Sequence, residues 1–152
     1  MPASILRQAL RPEVVKLRLE ATTKDEAIRE LVQVLDDAGC LPDPAEALRV
    51  VEARERVMST GMENGLAIPH GKTDTVQQLV VAMGLKPEGI EFDSVDGDPA
   101  TILLITVSPA SKSGPHLRFM ADVTRLLRDG QMREQVLTAE SANEVVGLLV
   151  QN

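Results

Sequence analysis

The 152-residue chain is long enough to bury one substantial core, and reads as a single domain spanning 1–152. Its 43% hydrophobic and 26% charged residues describe an ordinary globular protein and exclude a disordered one. A formal charge of −7 speaks against nucleic-acid binding, which needs a basic face, but leaves room for phosphate chemistry at a local cluster of donors.

The opening residues, MPASILRQALRPEVVKLRLE, contain no long apolar run, so no signal peptide is expected. No stretch approaches the length of a membrane span. Cys40 is the single cysteine, cannot close an internal disulfide, and is expected as a small buried hydrophobe in a reducing cytoplasm. Two Phe and no Trp or Tyr leave little for stacking-based recognition of bases or sugar rings.

In chain order, Val14–Leu19 alternates, with Val15, Leu17 and Leu19 on one face, and predicts a half-exposed strand. Thr23 and Glu26 form a capping box that opens a helix, which Ala27, Leu31, Val34, Leu35 and Ala38 carry to a stop at Gly39. Asp43 caps a second helix with Pro44 in its first turn, running to about Met58. Ser59–Lys72, punctuated by Gly61, Gly65, Pro69 and Gly71, reads as a loop. Gln78–Leu85 and Thr101–Val107 are nearly continuous apolar runs and predict central strands, with a short strand at Ile90–Asp93 between them. Helices come next at Pro115–Arg128 with Ser113 as cap, near Gln131–Leu137, and at Ser141–Val150 behind a Ser141/Glu144 capping box. This β-α-α-β-β-β-α-α order, the short helical piece aside, predicts an α+β fold: a mixed sheet flanked by helices on both faces.

Only two histidines are present. His70 sits in the Gly- and Pro-rich run STGMENGLAIPHGK, and His116 in the first turn of a later helix. A neutral imidazole is nucleophilic and can hold a phosphoryl group reversibly, given donors for the phosphoryl oxygens and a partner for its second nitrogen. Arg54 falls on the apolar stripe Ala47, Val50, Val51, Val57 and Met58 of the second helix, where an unpaired guanidinium would be costly unless it clamps an anion. Arg56, on the opposite face, reads as solvated. Ser59 and Thr60 add hydroxyl donors. Each has a plainer reading: Arg54 as the partner of Glu52 or Glu55, His116 as filler above Met120 and Val123, His70 as an incidental loop residue, and the six methionines as core filler.

Two other chemistries fail on spacing. The run from Gly65 to Thr73 misplaces its first glycine for a nucleotide-binding loop, and Pro69 and His70 occupy positions that need free backbone. Two histidines with no cysteine cluster fall short of a zinc site, so neither a metal nor a cofactor is expected.

Four segments, in order, are KDEAIRELVQVLDDAG, ARERVMSTGMENGLAIPHGKTD, EFDSVDGDPATILLITVSP and PHLRFMADVTRLL. Over nearly its full length the chain resembles the enzyme IIA domain of the bacterial phosphoenolpyruvate-dependent phosphotransferase system, of the mannitol/fructose and nitrogen-regulatory type. The resemblance implies a three-layer α/β/α sandwich and phosphorylation of His70 through Nε2. It further implies that His116, 46 positions on (116 − 70), is the second active-site histidine, and that Arg54, 16 positions before (70 − 54), is the active-site arginine. The implied donor is HPr or its nitrogen-branch relative, and the implied acceptor a IIB domain or a regulatory target.

Met62 and Glu63 depart from the family pattern, and the acidic Glu63 is expected to bear on donor choice. Because no IIB, IIC or HPr-like segment accompanies the domain in this sequence, the nitrogen-regulatory branch is expected. The alternatives are a sugar-specific IIA component, or a binding module that acts mainly by docking.

Overall fold

The computed structural model describes residues 5–151. A short helix, α1 (Ile5–Ala9), and a 3-10 turn at Pro12–Val14 lead into β1 (Val15–Lys16). Next come α2 (Lys24–Asp37), α3 (Pro44–Val57), β2 (Leu66–Ala67), β3 (His70–Lys72), β4 (Val80–Ile90) and β5 (Ala100–Ser108). The chain closes with α4 (Gly114–Leu127), α5 (Gly130–Leu137) and α6 (Ala142–Val150).

The strands form one mixed sheet in the order β1-β4-β5-β2, with β3 beside β2 on the same flank of β5. β4 and β5 are antiparallel, whereas β1 runs parallel to β4, and β2 and β3 run parallel to β5. On one face α2 and α3 pack against each other and the sheet; α1, α4, α5 and α6 form the other layer. This is the three-layer α/β/α sandwich. The core runs through both interfaces and is nearly all aliphatic, with Ile102, Leu103, Leu104 and Ile105 of β5 fully buried. Parallel strands covered on both faces need such continuous apolar runs.

Local chemistry starts and stops the helices much as expected. Thr23 accepts from the Glu26 amide while the Glu26 carboxylate accepts from the Thr23 amide, a complete capping box. Gly39 adopts φ +75°, the left-handed conformation that ends α2 at little cost. Asp43 caps α3 through the Glu46 amide. Ser141 caps α6 through the Glu144 amide, but the Glu144 carboxylate accepts from Glu140 rather than closing the expected box. Ser113 makes no side-chain cap and is itself in helical geometry, so α4 opens without it, at Gly114.

Three elements differ from the sequence reading. The Val14–Leu19 strand shrinks to Val15–Lys16: the 3-10 turn takes Val14, and the chain bends at Leu17 and Arg18, though Leu19 still donates its amide to Leu85. The expected strand at Ile90–Asp93 is instead the end of β4, where Ile90 alone pairs, with Ala100, after a register shift. Pro87 lies within that irregular stretch, and having no N–H it cannot donate to a ladder. The loop Ser59–Lys72 contains β2 and β3. The methionines also divide: Met83 and Met132 are core, Met62 and Met120 pack against it, Met58 is exposed, and Met1 lies outside the described residues. Cys40 is half-buried, its sulfur 3.8 Å from an Arg11 guanidinium nitrogen.

Alternation along β3 sends successive side chains to opposite layers. His70 pairs with Thr106 and points towards α4; Gly71 pairs with Val107 and points towards α3. A Cβ on Gly71 would lie 2.9 Å from the backbone of Val50 and of Val51, so the helix rests directly on the strand. Gly71→Ala should therefore push α3 off β3 and destabilise the fold by about 1–3 kcal/mol, the usual range for overpacking. Urea denaturation at unchanged slope would measure it; wild-type stability would show that the contact is loose.

Candidate functional site

β3 ends the sheet beside the last turns of α3 and the first turn of α4, and the three surround a pocket of about 700 Å³. Arg49, Val50, Ala53 and Arg54 line it from α3, His70, Gly71 and Lys72 from β3, and His116, Leu117 and Met120 from α4. Three cations and no carboxylate line this pocket in a protein of net charge −7. Of the carboxylates nearby, Glu46 grips the pocket's own Arg49 through two bonds of 2.6 and 2.7 Å and Glu55 faces α2, so among the described residues Arg54 and Lys72 are the pocket cations with no carboxylate partner. Fixed positive charge without a counter-charge is the arrangement an anion requires.

The two imidazoles meet here, their ring centroids 4.9 Å apart and tilted by 39°. His70 is half-buried, and its Nδ1 lies 2.8 Å from the Ile68 carbonyl. A carbonyl oxygen can only accept, so Nδ1 carries the proton and Nε2 keeps its lone pair. Burial is the first cause holding the His70 pKa below 6.5; the Ile68 bond and the Glu55 charge oppose it, while Arg54 and Lys72 reinforce it. His116 is 5% exposed and its Nδ1 lies 3.0 Å from the Thr106 hydroxyl. Burial first, then the His70 and Lys72 charges, push its pKa down to about 4. Both rings are neutral at neutral pH.

Arg54 reaches the pocket but is less buried than the helical stripe implied, and its Nη1 donates to the Met58 carbonyl at 2.8 Å. It pairs with neither Glu52 nor Glu55: Glu52 meets Arg29 at 3.9 Å, and Glu55 meets Lys24 at 3.0 Å. Val57 and Met58, expected on the inward stripe, are 80% and 69% exposed, because α3 ends there and Met58 turns to extended backbone. Arg56 is exposed, as expected.

Ser59 and Thr60 are not brought into the pocket. The Ser59 hydroxyl donates to the Phe92 carbonyl and accepts from the Gly61 amide; the Thr60 hydroxyl donates to Glu55. Both hold the loop rather than offering free donors. Met62 and Glu63 line a separate cleft with Val95 and Arg128, away from the two histidines. Among the described residues, no group of three or more His, Cys, Asp or Glu could hold a metal ion.

The residue that sequence reasoning missed is Glu55. Its side chain is 6% exposed and accepts from Lys24, from the Thr60 amide at 2.9 Å and from the Thr60 hydroxyl. It ties the start of α2, the end of α3 and the chain leading to β3 into one unit. The available signal was spacing: Glu55 comes after the fully buried Ala47 and Val51 at intervals of four (51 − 47, 55 − 51).

A family model described as phosphoenolpyruvate-dependent sugar phosphotransferase system, EIIA 2, matches residues 8–152. The chain is 36% identical over 139 residues to the fructose-specific EIIA component of the phosphotransferase system of Haloferax volcanii, covering 91% of this chain and 90% of that one. It is 32% identical over 147 residues to the fructose-specific EIIABC component of Bacillus subtilis, which is 97% of this chain but only 23% of that relative's length. The solved structure of the nitrogen regulatory protein IIA-Ntr from Neisseria meningitidis superposes with a TM-score of 0.88 at 29% identity, covering 96% of this chain and 99% of that one. The enzyme IIA in a complex of mannitol IIA with phosphorylated mannitol IIB from Escherichia coli superposes with a TM-score of 0.81 at 27% identity, covering 94% and 98%.

Glu55 and His116 each lead to a measurable outcome. Glu55→Gln removes the charge facing Lys24, which keeps Asp93 at 3.4 Å, so the loss should be about 1–3 kcal/mol rather than that of a stranded ion. The same change removes a charge that raises the His70 pKa, so NMR titration should find His70 protonating at lower pH than in the wild type. An unmoved titration would mean that Glu55 does not act on the site. For His116, the folded pKa of about 4 lies below the 6.5 of the unfolded chain, so the unfolded state binds more protons between them. The resulting stability is full above about pH 6.5 and is lost as pH falls towards about 4. His116→Gln should flatten the fall in melting temperature across that window; an equally steep fall would place the acid sensitivity elsewhere.

Proposed function

The chain belongs to the EIIA 2 family of the phosphoenolpyruvate-dependent sugar phosphotransferase system, and from that premise we propose that it is a phosphohistidine carrier whose acceptor is Nε2 of His70. The observation that carries this reading is the bond from His70 Nδ1 to the Ile68 carbonyl, which leaves Nε2 as the nucleophilic nitrogen in a pocket where Arg54 and Lys72 have no carboxylate partner among the described residues. In the transfer, the Nε2 lone pair attacks the phosphorus of a phosphorylated HPr-type donor. The donor's bond to phosphorus breaks, and its electron pair returns to the donor. The Nδ1 proton stays on His70, so the imidazolium charge that develops is shared with the Ile68 carbonyl.

Arg54 and Lys72 supply charge towards the phosphoryl oxygens, and His116 lies within ring contact of His70 to offer a further donor. Ser59 and Thr60 support the site through the loop they hold. The onward acceptor is a IIB domain or a regulatory target; a mannitol IIA of similar fold forms a complex with a phosphorylated IIB. No helix among the described residues is long and apolar enough to cross a membrane; the cytoplasmic placement of this carrier domain rests on the family it belongs to.

The nitrogen-regulatory branch is supported by the TM-score of 0.88 to IIA-Ntr. The fructose branch has its own support in the 36% identity to a fructose-specific component. Incubation with phosphoenolpyruvate, enzyme I and either HPr or its nitrogen-branch relative, followed by intact-mass measurement, separates them. The wild type should gain one acid-labile phosphoryl group, faster from the donor of its own branch. His70→Ala should gain none, and a labelled variant would remove His70 from the acceptor role.

A further inference from the structure

Thr106 lies near the end of β5, flanked by His70 of β3 and Val81 of β4, and is fully buried. Its neighbours along the strand, Leu104, Ile105 and Val107, are aliphatic and equally buried. Packing does not call for a hydroxyl there, since valine has the same branched shape. A buried hydroxyl is unfavourable unless it is hydrogen-bonded.

Its backbone N–H goes to the Pro69 carbonyl at 3.0 Å, so the hydroxyl is not needed to satisfy that group and has to find a partner of its own. Among the described residues the hydroxyl has one partner, Nδ1 of His116 at 3.0 Å. A neutral imidazole has one donor and one acceptor nitrogen, and a hydroxyl has one proton to give. Were Nδ1 to carry the ring proton, the hydroxyl would accept it and its own proton would lack an acceptor in a dry interior, at a cost of the order of that for an unmade buried bond. With the hydroxyl donating to Nδ1 both groups are satisfied, and the ring proton sits on Nε2.

We propose that Thr106 is a positioning residue that donates to His116 Nδ1, fixes the His116 proton on Nε2, and so makes His116 a hydrogen-bond donor to the phosphoryl group on His70. The second half of this statement rests on the carrier reading; the first half does not. His116 transfers no proton: it contributes a hydrogen bond to a phosphoryl oxygen that is present only while the group is bound or arriving. The two rings are held in opposite tautomers by two different acceptor-donor relations. The Ile68 carbonyl forces a proton onto His70 Nδ1, and the Thr106 hydroxyl forces one off His116 Nδ1.

The test compares Thr106→Val, which keeps the shape and deletes the hydroxyl, with Thr106→Ser, which keeps the hydroxyl. Heteronuclear NMR of the imidazole nitrogens in unphosphorylated protein reads the tautomer directly. Wild type and Thr106→Ser should show His116 protonated on Nε2, and Thr106→Val a mixture of tautomers. A wild-type His116 protonated on Nδ1 overturns the proposal whether or not the protein carries phosphate, and even if Thr106→Val fails to fold.

Phosphorylation by an HPr-type donor should slow about tenfold in Thr106→Val, at the lower end of what removing the orienting partner of a functional histidine does, and recover in Thr106→Ser. A folded Thr106→Val that is phosphorylated at the wild-type rate overturns the role in transfer. Failure of the carrier reading shows itself differently, as a wild type that is never phosphorylated while the His116 tautomer is as stated.

Discussion

The site depends on three residues pairing in parallel with the end of β5. Without the β3–β5 ladder, His70 would hang in a Gly- and Pro-rich loop with no preferred direction. With it, period-two alternation sends His70 to the α4 side and Gly71 to the α3 side. Both consequences are needed. The first sets His70 beside His116 and Thr106; the second lets α3 lie on the strand, which carries Arg54 to the same pocket. A one-residue slip would exchange the two faces, placing an imidazole under α3 and leaving nothing opposite His116.

Charge is partitioned around this ladder. The chain as a whole is acidic, yet the lining of the pocket is not. Glu55 is central to that separation. It sits one residue beyond Arg54 on α3 and is turned away to Lys24 and Thr60. Its negative charge is thereby balanced locally, while the guanidinium beside it stays clear of any carboxylate among the described residues. Glu55 still acts on His70 at longer range, and opposes the effects of Arg54 and Lys72 there. The site is thus positive at contact and partly compensated beyond it, which suits reversible holding of an anion better than irreversible capture.

The helices were legible because their signals are local. A capping box, a Pro in the first turn and a left-handed Gly act within a few residues, and α2 and α3 begin and end close to where those residues place them. β3 was not legible as a strand. Three residues after a proline carry too little periodicity, and their pairing with Thr106–Ser108 spans more than thirty positions of intervening chain (106 − 70). Arg54 was visible as a charge on an apolar stripe, but the stripe was extended one turn too far. The buried line runs Ala47, Val51, Glu55 and leaves Val57 and Met58 outside. Taking Glu55 as a partner for Arg54 hid its role, because adjacent residues on a helix point in different directions.

Local partners also explain why two histidines of one type do different work. Composition cannot distinguish them: each is a neutral imidazole with a lowered pKa, and burial is the leading cause for both. The group facing Nδ1 separates them. A backbone carbonyl accepts and nothing else, whereas a threonine hydroxyl with no other acceptor among the described residues is expected to donate. In the proposed carrier one ring therefore turns a lone pair to the pocket and the other a proton, a nucleophile beside a donor, without either needing to be charged. A sequence lists the histidines but not their partners, and it is the partners, Ile68 and Thr106, on which the proposed roles rest.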